Sequence, residues 1–309
     1  MKQRKKIGLA LGSGAARGMA HIGVLKVFEE ENIPIDYISG TSFGAIIGAL
    51  YASGVSVAQL EEVGKGVNWA RLARLVDPIF STSGLIDGRK LSVFLEDLLP
   101  RKNFEDLDIP LALTATDVES GEAIVIRRGN LLEALRAAVS FPGVFTPVAF
   151  GDRFLIDGGI TNPIPIDVVR ELGAEFAIGV CTLQQVDKRS KETFLPVEKE
   201  KSEKSHFKEW LTPLGLEEKF KKQWPFADRK EGDERRPPNI FRIFAQSVVI
   251  MENQIASLQL QQNHIDVLIR PPLGNMTLLE FNKSSDAIQS GENTARNHIE
   301  EVRSLAGLD

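Results

Sequence analysis

The chain has 309 residues, 43% hydrophobic and 26% charged, with a net charge of −5. That length accommodates one large α/β domain with an appendage, or two small domains, and the acidic balance argues against a nucleic-acid binder. A single cysteine, Cys181, excludes an internal disulfide and fits a reducing compartment, while no apolar run approaches the roughly 20 residues that span a bilayer.

The chain opens on Lys2 to Lys6 followed by Ile7-Gly8-Leu9-Ala10-Leu11, an order that imitates a secretion signal. The apolar run is short and breaks at once into Gly12-Ser13-Gly14, so a buried first strand and a cytoplasmic protein are expected. The glycine loop leads into a helix over 19–31. A strand over 35–39 precedes Ser42 and a small-residue helix over 45–52. Further on, a strand over 110–116 turns at Ser120-Gly121 into a partner strand over 123–126. A helix over 131–139 ends before Phe141-Pro142-Gly143, and a strand over 154–156 stops at Asp157-Gly158-Gly159. A helix over 164–172 and a strand over 176–181 close the alternating part. Alternation of this kind predicts an α/β fold with a mainly parallel sheet covered on both faces. Chemistry in such sheets gathers at the carboxyl ends of the strands.

The stretch 186–238 breaks the rhythm. It mixes Lys and Glu with Trp210, Leu211, Leu214, Leu216, Phe220, Trp224 and Phe226. A solvated insertion is one reading; a lid that dips aromatic residues into a lipid surface, giving peripheral contact with the inner membrane face, is the other. Beyond it the pattern predicts a helix over 241–262, a strand over 265–269 that returns to the sheet edge, and an amphipathic helix over 284–305 capped by serine. The expected organisation is a core over 5–182, the insertion over 183–239, and a C-terminal part over 240–309 on the same domain.

Three groups of residues carry chemistry. Ser42 lies in Gly40-Thr41-Ser42-Phe43-Gly44, a G-x-S-x-G placed between a strand and a helix. Such a sharp turn pushes the hydroxyl outward, and Gly40 and Gly44 relieve the crowding. The second group is Gly12-Ser13-Gly14-Ala15-Ala16-Arg17-Gly18, a nest of backbone N–H groups suited to an anion. A dinucleotide fingerprint would need its third glycine one place earlier and an acid ending the second strand. Asp36 stands at the wrong end of that strand, so an oxyanion hole is the better reading. The third is Asp157, which ends a strand before two glycines; a plain Asp-Gly turn is its bland alternative. None of His21, His206, His264 and His298 occupies the position of a hydrolase base, and His21 reads as a helix or core hydrogen-bonding residue.

Taken in order, the glycine loop with its arginine, G-T-S-F-G and D-G-G resemble the patatin-like phospholipases, particularly their bacterial members. The phrases Gly14 to Leu25, Ala115-Thr116-Asp117 and Phe141-Pro142-Gly143 agree, and the resemblance covers residues 5 to 182. It implies a three-layer α/β/α fold and a Ser–Asp dyad, with Ser42 as nucleophile and Asp157 as base. It implies an oxyanion hole from the N–H groups of Gly14 and Ala15. Arg17, Gly40, Gly44 and Gly158 would support the site, and Asp117 would have a structural or supporting role away from the dyad. No metal or cofactor enters this chemistry. Ser13 and Ala15 depart from the family's glycines, and a positive φ at either would cost energy. Phe43 and residues 141–148 could line an acyl channel or serve as ordinary core. The implied function is a serine hydrolase of phospholipid or lysophospholipid esters. The alternative is a non-catalytic protein that keeps the fold and binds a partner.

Overall fold

A computed structural model of the chain describes residues 4–67, 74–78, 83–183 and 240–308. The expectations for 186–238 and for His206 therefore lie outside the described residues. Among the described residues eight strands form one sheet: β1 (Ile7–Leu11), β2 (Tyr37–Thr41), β3 (Leu111–Asp117), β4 (Ala123–Ile126), β5 (Val148–Phe150), β6 (Arg153–Asp157), β7 (Phe176–Val180) and β8 (Val267–Ile269). The strand order is β5-β6-β3-β2-β1-β7-β8, with β4 also paired to β3. Strands β3, β2, β1, β7 and β8 run parallel, while β4, β6 and β5 join antiparallel. The sheet is thus parallel at its centre and antiparallel on one flank.

The alternation of side chains explains why helices cover both faces. Ile7, Leu9 and Leu11 of β1, with Phe176, Ile178 and Val180 of β7, point into the larger core. That core lies under helices α1 (Ala20–Glu30), α2 (Phe43–Ala52), α3 (Val57–Gly66), α4 (Arg89–Leu98) and α5 (Leu131–Ala138). The opposite face of the same strands carries only small residues. A Cβ on Gly8 would stand 2.6 Å from Val169 Cγ2, and one on Gly179 would stand 2.7 Å from Ile265 Cδ1. This close approach seats α6 (Ile166–Glu171) directly on the sheet, and Ala256 and Leu260 of α7 (Ile240–Gln262) complete the smaller core. Helices α8 (Ser284–Arg296) and α9 (Ile299–Ala306) end the described chain.

The sequence-based expectations differ in details that have physical causes. The first helix is preceded by a 3-10 turn, Ala15–Met19, which lets the glycine loop tighten before α1 starts. The single helix expected over 284–305 is two, α8 and α9, and its serine cap is absent. Ser284 instead donates its hydroxyl back to the Phe281 carbonyl, and Lys283 holds the cap position.

One helix pair bears directly on the glycine loop. A Cβ on Gly23 of α1 would come within 2.0 Å of Ile288 O of α8, and one on Gly291 within 2.1 Å of Ala20 O. Both obstacles are backbone, which cannot rotate away. Glycine in an ordinary helix interior loses about 1 kcal/mol to alanine, so the usual exchange would stabilise. Here the sign reverses: Gly23→Ala is expected to lower unfolding free energy by about 1–3 kcal/mol, the usual cost of overpacking, as read from the urea midpoint at unchanged m value.

Candidate active site

Strand register assembles the site before any side chain is considered. Leu11 pairs with Gly40, and Thr41 with Thr114, so the turns leaving β1 and β2 start side by side. β3 continues three residues beyond Thr114, and β6 pairs antiparallel with that overhang, Ala115 opposite Asp157. Ser42, the residue after Thr41, therefore reaches the sheet edge at the level where β6 delivers Asp157. Asp157 arrives on a descending strand, so the parallel-sheet rule alone does not account for its position.

At the first turn, Ser42 has φ 55° and ψ −122° between β2 and α2. A residue other than glycine in such backbone typically carries about 1–3 kcal/mol of strain. The neighbouring glycines have no room for side chains: a Cβ on Gly40 would meet Ala45 Cα at 2.7 Å, and one on Gly44 would meet Leu11 O at 2.3 Å. The strand and helix thus cross at backbone distance and hold the serine outward.

Asp157 is 2% exposed. Its Oδ2 accepts a 2.7 Å hydrogen bond from Ser42 Oγ, and its Oδ1 accepts one of 2.8 Å from the Gly159 N–H. Its backbone N–H donates to Ser140 O at 3.0 Å, and Thr116 Oγ1 donates to its carbonyl at 3.0 Å. Gly158 is required by the same turn, since a Cβ there would lie 2.4 Å from Thr114 O. Burial raises the carboxyl to about 6, against the lowering effect of its hydrogen bonds from Gly159 and Ser42. The group is therefore ionised at neutral pH yet far more basic than an exposed aspartate.

The glycine loop is fixed from several sides. Gly12 N–H donates to Val180 O, Ser13 N–H to Pro163 O, Ala16 N–H to Leu278 O and Arg17 N–H to Gly14 O, at 3.0, 2.8, 3.0 and 3.1 Å. Thr182 Oγ1 donates to Ser13 O at 2.7 Å and fills the space that a Gly14 side chain would need. The two N–H groups between these, those of Gly14 and Ala15, have no acceptor among the described residues. Arg17 is 3% exposed and donates Nε to Met276 O at 2.6 Å, tying the loop to the C-terminal part. The positive φ anticipated as a cost falls at Ala15, at 48°, whereas Ser13 is absent from the positive-φ residues.

Histidine has a supporting position. His21 is fully buried and its Nε2 lies 2.8 Å from Gly12 O, so Nε2 carries the proton and donates to the loop. Burial pushes this imidazole down to about 4, which keeps it neutral. His264 pairs with Asp266, and His298 donates Nδ1–H to Thr294 O, so neither meets Ser42 or Asp157. Asp117 accepts from the Glu119 N–H at 3.0 Å and pairs with Arg153 at 3.2 Å, which organises the β3–β4 turn. Of the apolar residues considered for an acyl channel, Phe43 packs on Phe281, with ring centroids 5.8 Å apart, and Phe145 lies 5.0 Å from the Arg136 guanidinium carbon.

One residue escaped the sequence reading. Glu252 of α7 is 5% exposed, with Oε2 3.5 Å from Ser13 Oγ. Its Oε1 stands 2.3 Å from where a Cβ on Gly159 would be. A signal for it did exist: Glu252 falls on one helical stripe with the buried Val248, Val249 and Ala256, where an acid is out of keeping.

A strained serine hydrogen-bonded to a buried aspartate thus lies beside two backbone N–H donors, free among the described residues, at the edge of a largely parallel sheet in an α/β fold. The chain belongs to the patatin-like phospholipase family, whose model matches residues 9–170. It is 35% identical over 175 residues to an uncharacterized NTE family protein of Mycobacterium tuberculosis (strain ATCC 25618 / H37Rv), covering 57% of this chain and 48% of that one. It is also 33% identical over 181 residues to patatin-like phospholipase domain-containing protein 6 of Homo sapiens, covering 56% and 13% respectively. The chain thus spans about half, or far less, of the length of the curated relatives it matches. Among solved structures, VipD from Legionella pneumophila aligns with a TM-score of 0.47 and 12% identity, over 97% of this chain and 67% of that one.

The Ala15 backbone offers a test of the loop's strain. An alanine with positive φ costs about 1–2 kcal/mol, and glycine returns about 0.5–1 kcal/mol of that as greater freedom of the unfolded chain. Ala15→Gly is expected to raise stability by about 0.5–1 kcal/mol in chemical denaturation.

Proposed function

We propose that the chain is a serine acyl hydrolase of lipid esters, with Ser42 as nucleophile and Asp157 as its base. The observation that carries this is the 2.7 Å hydrogen bond from Ser42 Oγ to a buried carboxylate raised to about 6. An aspartate at its ordinary value is too weak a base for a hydroxyl; desolvation moves it toward the operating pH, where general-base catalysis is most effective. In the first step Ser42 Oγ bonds to the ester carbonyl carbon while its proton passes to Asp157 Oδ2. The carbonyl oxygen takes the electron pair and is received by the N–H groups of Gly14 and Ala15. Collapse expels the alcohol, which leaves with the proton from Asp157. Water then repeats the sequence on the acyl-enzyme and releases the fatty acid. Each proton has a donor and acceptor without histidine.

The family description and the names of its relatives favour phospholipid as substrate, and this reading extends to lysophospholipid, whose ester offers the same carbonyl. Arg17, Gly40, Gly44 and Gly158 hold the loop and turns in this reading. Cytoplasmic placement belongs to the same proposal and is supported by the single, buried Cys181. Among the described residues, no helix is long and apolar enough to cross a membrane.

Hydrolysis of p-nitrophenyl acyl esters and labelling by a fluorophosphonate test the assignment. Ser42→Ala and Asp157→Asn should each lower kcat/KM by about 10³-fold or more while staying folded, with the label mapped to Ser42. A wild type that is inert and unlabelled, with lipid vesicles present, would sink the reading.

The base must be ionised to accept the proton, so kcat/KM should rise with pH through about 6. His21→Ala should leave that rising limb in place and lower stability by about 1–3 kcal/mol, since it strands the buried Gly12 carbonyl. Loss of the limb in this variant would instead assign the base to His21.

A further inference from the structure

The region between α7, the glycine loop and the Asp157 turn contains a carboxyl group that the proposed chemistry does not use. Glu252 of α7 lies in the buried stripe of that helix. The helix meets the turn at that point and again two helical turns further on. Glu252 abuts Gly159, and one helical turn beyond Ala256, Gln259 Nε2 donates to Thr161 O at 3.1 Å. The charged groups facing Glu252 are Asp157 from the end of β6 and Arg17 from the glycine loop, and Arg17 also feels Glu280. Ser13 and Gly159 are its nearest uncharged partners.

We propose that Glu252 is a positioning residue of this site: as a neutral carboxylic acid it joins α7 to the glycine loop and to the Asp157 turn, and its ionisation drives them apart. The inference rests on the reading of Ser42 and Asp157 as nucleophile and base. Two carboxylates in one buried region do not both ionise readily. Burial raises Glu252 to about 8, and the neighbouring Asp157 charge adds to that rise. Asp157, which keeps hydrogen bonds from Ser42 and the Gly159 N–H, ionises first, at about 6. Between those values one carboxylate serves as the base and the other is a neutral packing group. Above them a second negative charge lies against Asp157 and beside Ser13, the residue preceding the N–H groups that receive the oxyanion. It opposes the charged base before the reaction and the oxyanion during it. The site thereby acquires an upper pH limit set from the C-terminal helix.

The test measures the fluorophosphonate labelling rate of Ser42 and the melting temperature of wild type, Glu252→Gln and Glu252→Ala from pH 5 to 10. Wild-type labelling should rise through about 6 and fall about tenfold per pH unit above about 8. Glu252→Gln, which mimics the neutral acid, should keep the rise and lose the fall. Glu252→Ala should label more slowly at every pH because the contact itself is gone. A fall above pH 8 that persists in Glu252→Gln, or loss of labelling in that variant at pH 7 while it stays folded, overturns the proposal.

Stability gives a second, independent reading. Folding raises Glu252 from 4.5 to about 8, so its contribution is fully present below 4.5 and lost progressively up to about 8. The melting temperature of Glu252→Gln relative to wild type should widen in its favour from pH 5 to 8 and level above. A constant difference overturns the neutral carboxyl. Wild type that remains unlabelled at every pH defeats the hydrolase reading, while the melting data still decide the state of Glu252.

Discussion

The hydrogen bond between Ser42 and Asp157 joins segments 115 residues apart, and the surrounding structure makes it possible. Neither residue controls the distance. Ser42 is placed by β2 and α2, whose backbones cross at Gly40 and Gly44. Asp157 is placed by β6, which pairs with the three-residue overhang of β3. Had β6 joined one register step away, the carboxylate would face the opposite side of the sheet. The antiparallel flank of an otherwise parallel sheet therefore has a direct chemical consequence.

Burial is the second constraint. A carboxylate in water is fully satisfied and almost inert toward a hydroxyl. At 2% exposure Asp157 loses that hydration, retaining hydrogen bonds from Gly159 and Ser42. These partners hold the group in orientation and moderate its basicity without abolishing it. Enclosing it requires surfaces from several elements, and α7 supplies one through Glu252. The same enclosure that makes Asp157 basic makes a second nearby charge expensive. Arg17 offsets part of that cost while serving the glycine loop.

The C-terminal part is more than a cover. Leu278 and Met276 accept hydrogen bonds from Ala16 and Arg17, and α8 meets α1 through the reciprocal glycines Gly23 and Gly291. Strand β8 extends the sheet beyond β7. The glycine loop is consequently held from both ends of the sequence, which explains how Ala15 can keep a backbone conformation that alanine disfavours. Local strain persists where the neighbours leave no alternative.

Much of this was legible in the sequence because it depends on local rules. The alternation of short apolar runs with helical periodicity determined the α/β class. G-T-S-F-G determined a sharp strand-to-helix turn, since only glycines tolerate its crowding, and D-G-G likewise marked Asp157. The absence of a base-like histidine position pointed away from a triad. Other features depended on partners distant in the chain. The direction of β6 could not be read, because a short apolar strand pairs either way. Nor could the division of the last helix, whose serine bonds backwards instead of capping. The apolar stripe of α7 marked Glu252 as an acid out of place, but not what it faces, because its partners Ser13, Gly159 and Asp157 come from distant segments. Sequence by itself determined the turns and the residues they expose, through backbone sterics within a few positions. Tertiary structure alone decided which of them meet and how basic they become, because register and desolvation are properties of surfaces that several distant segments make together.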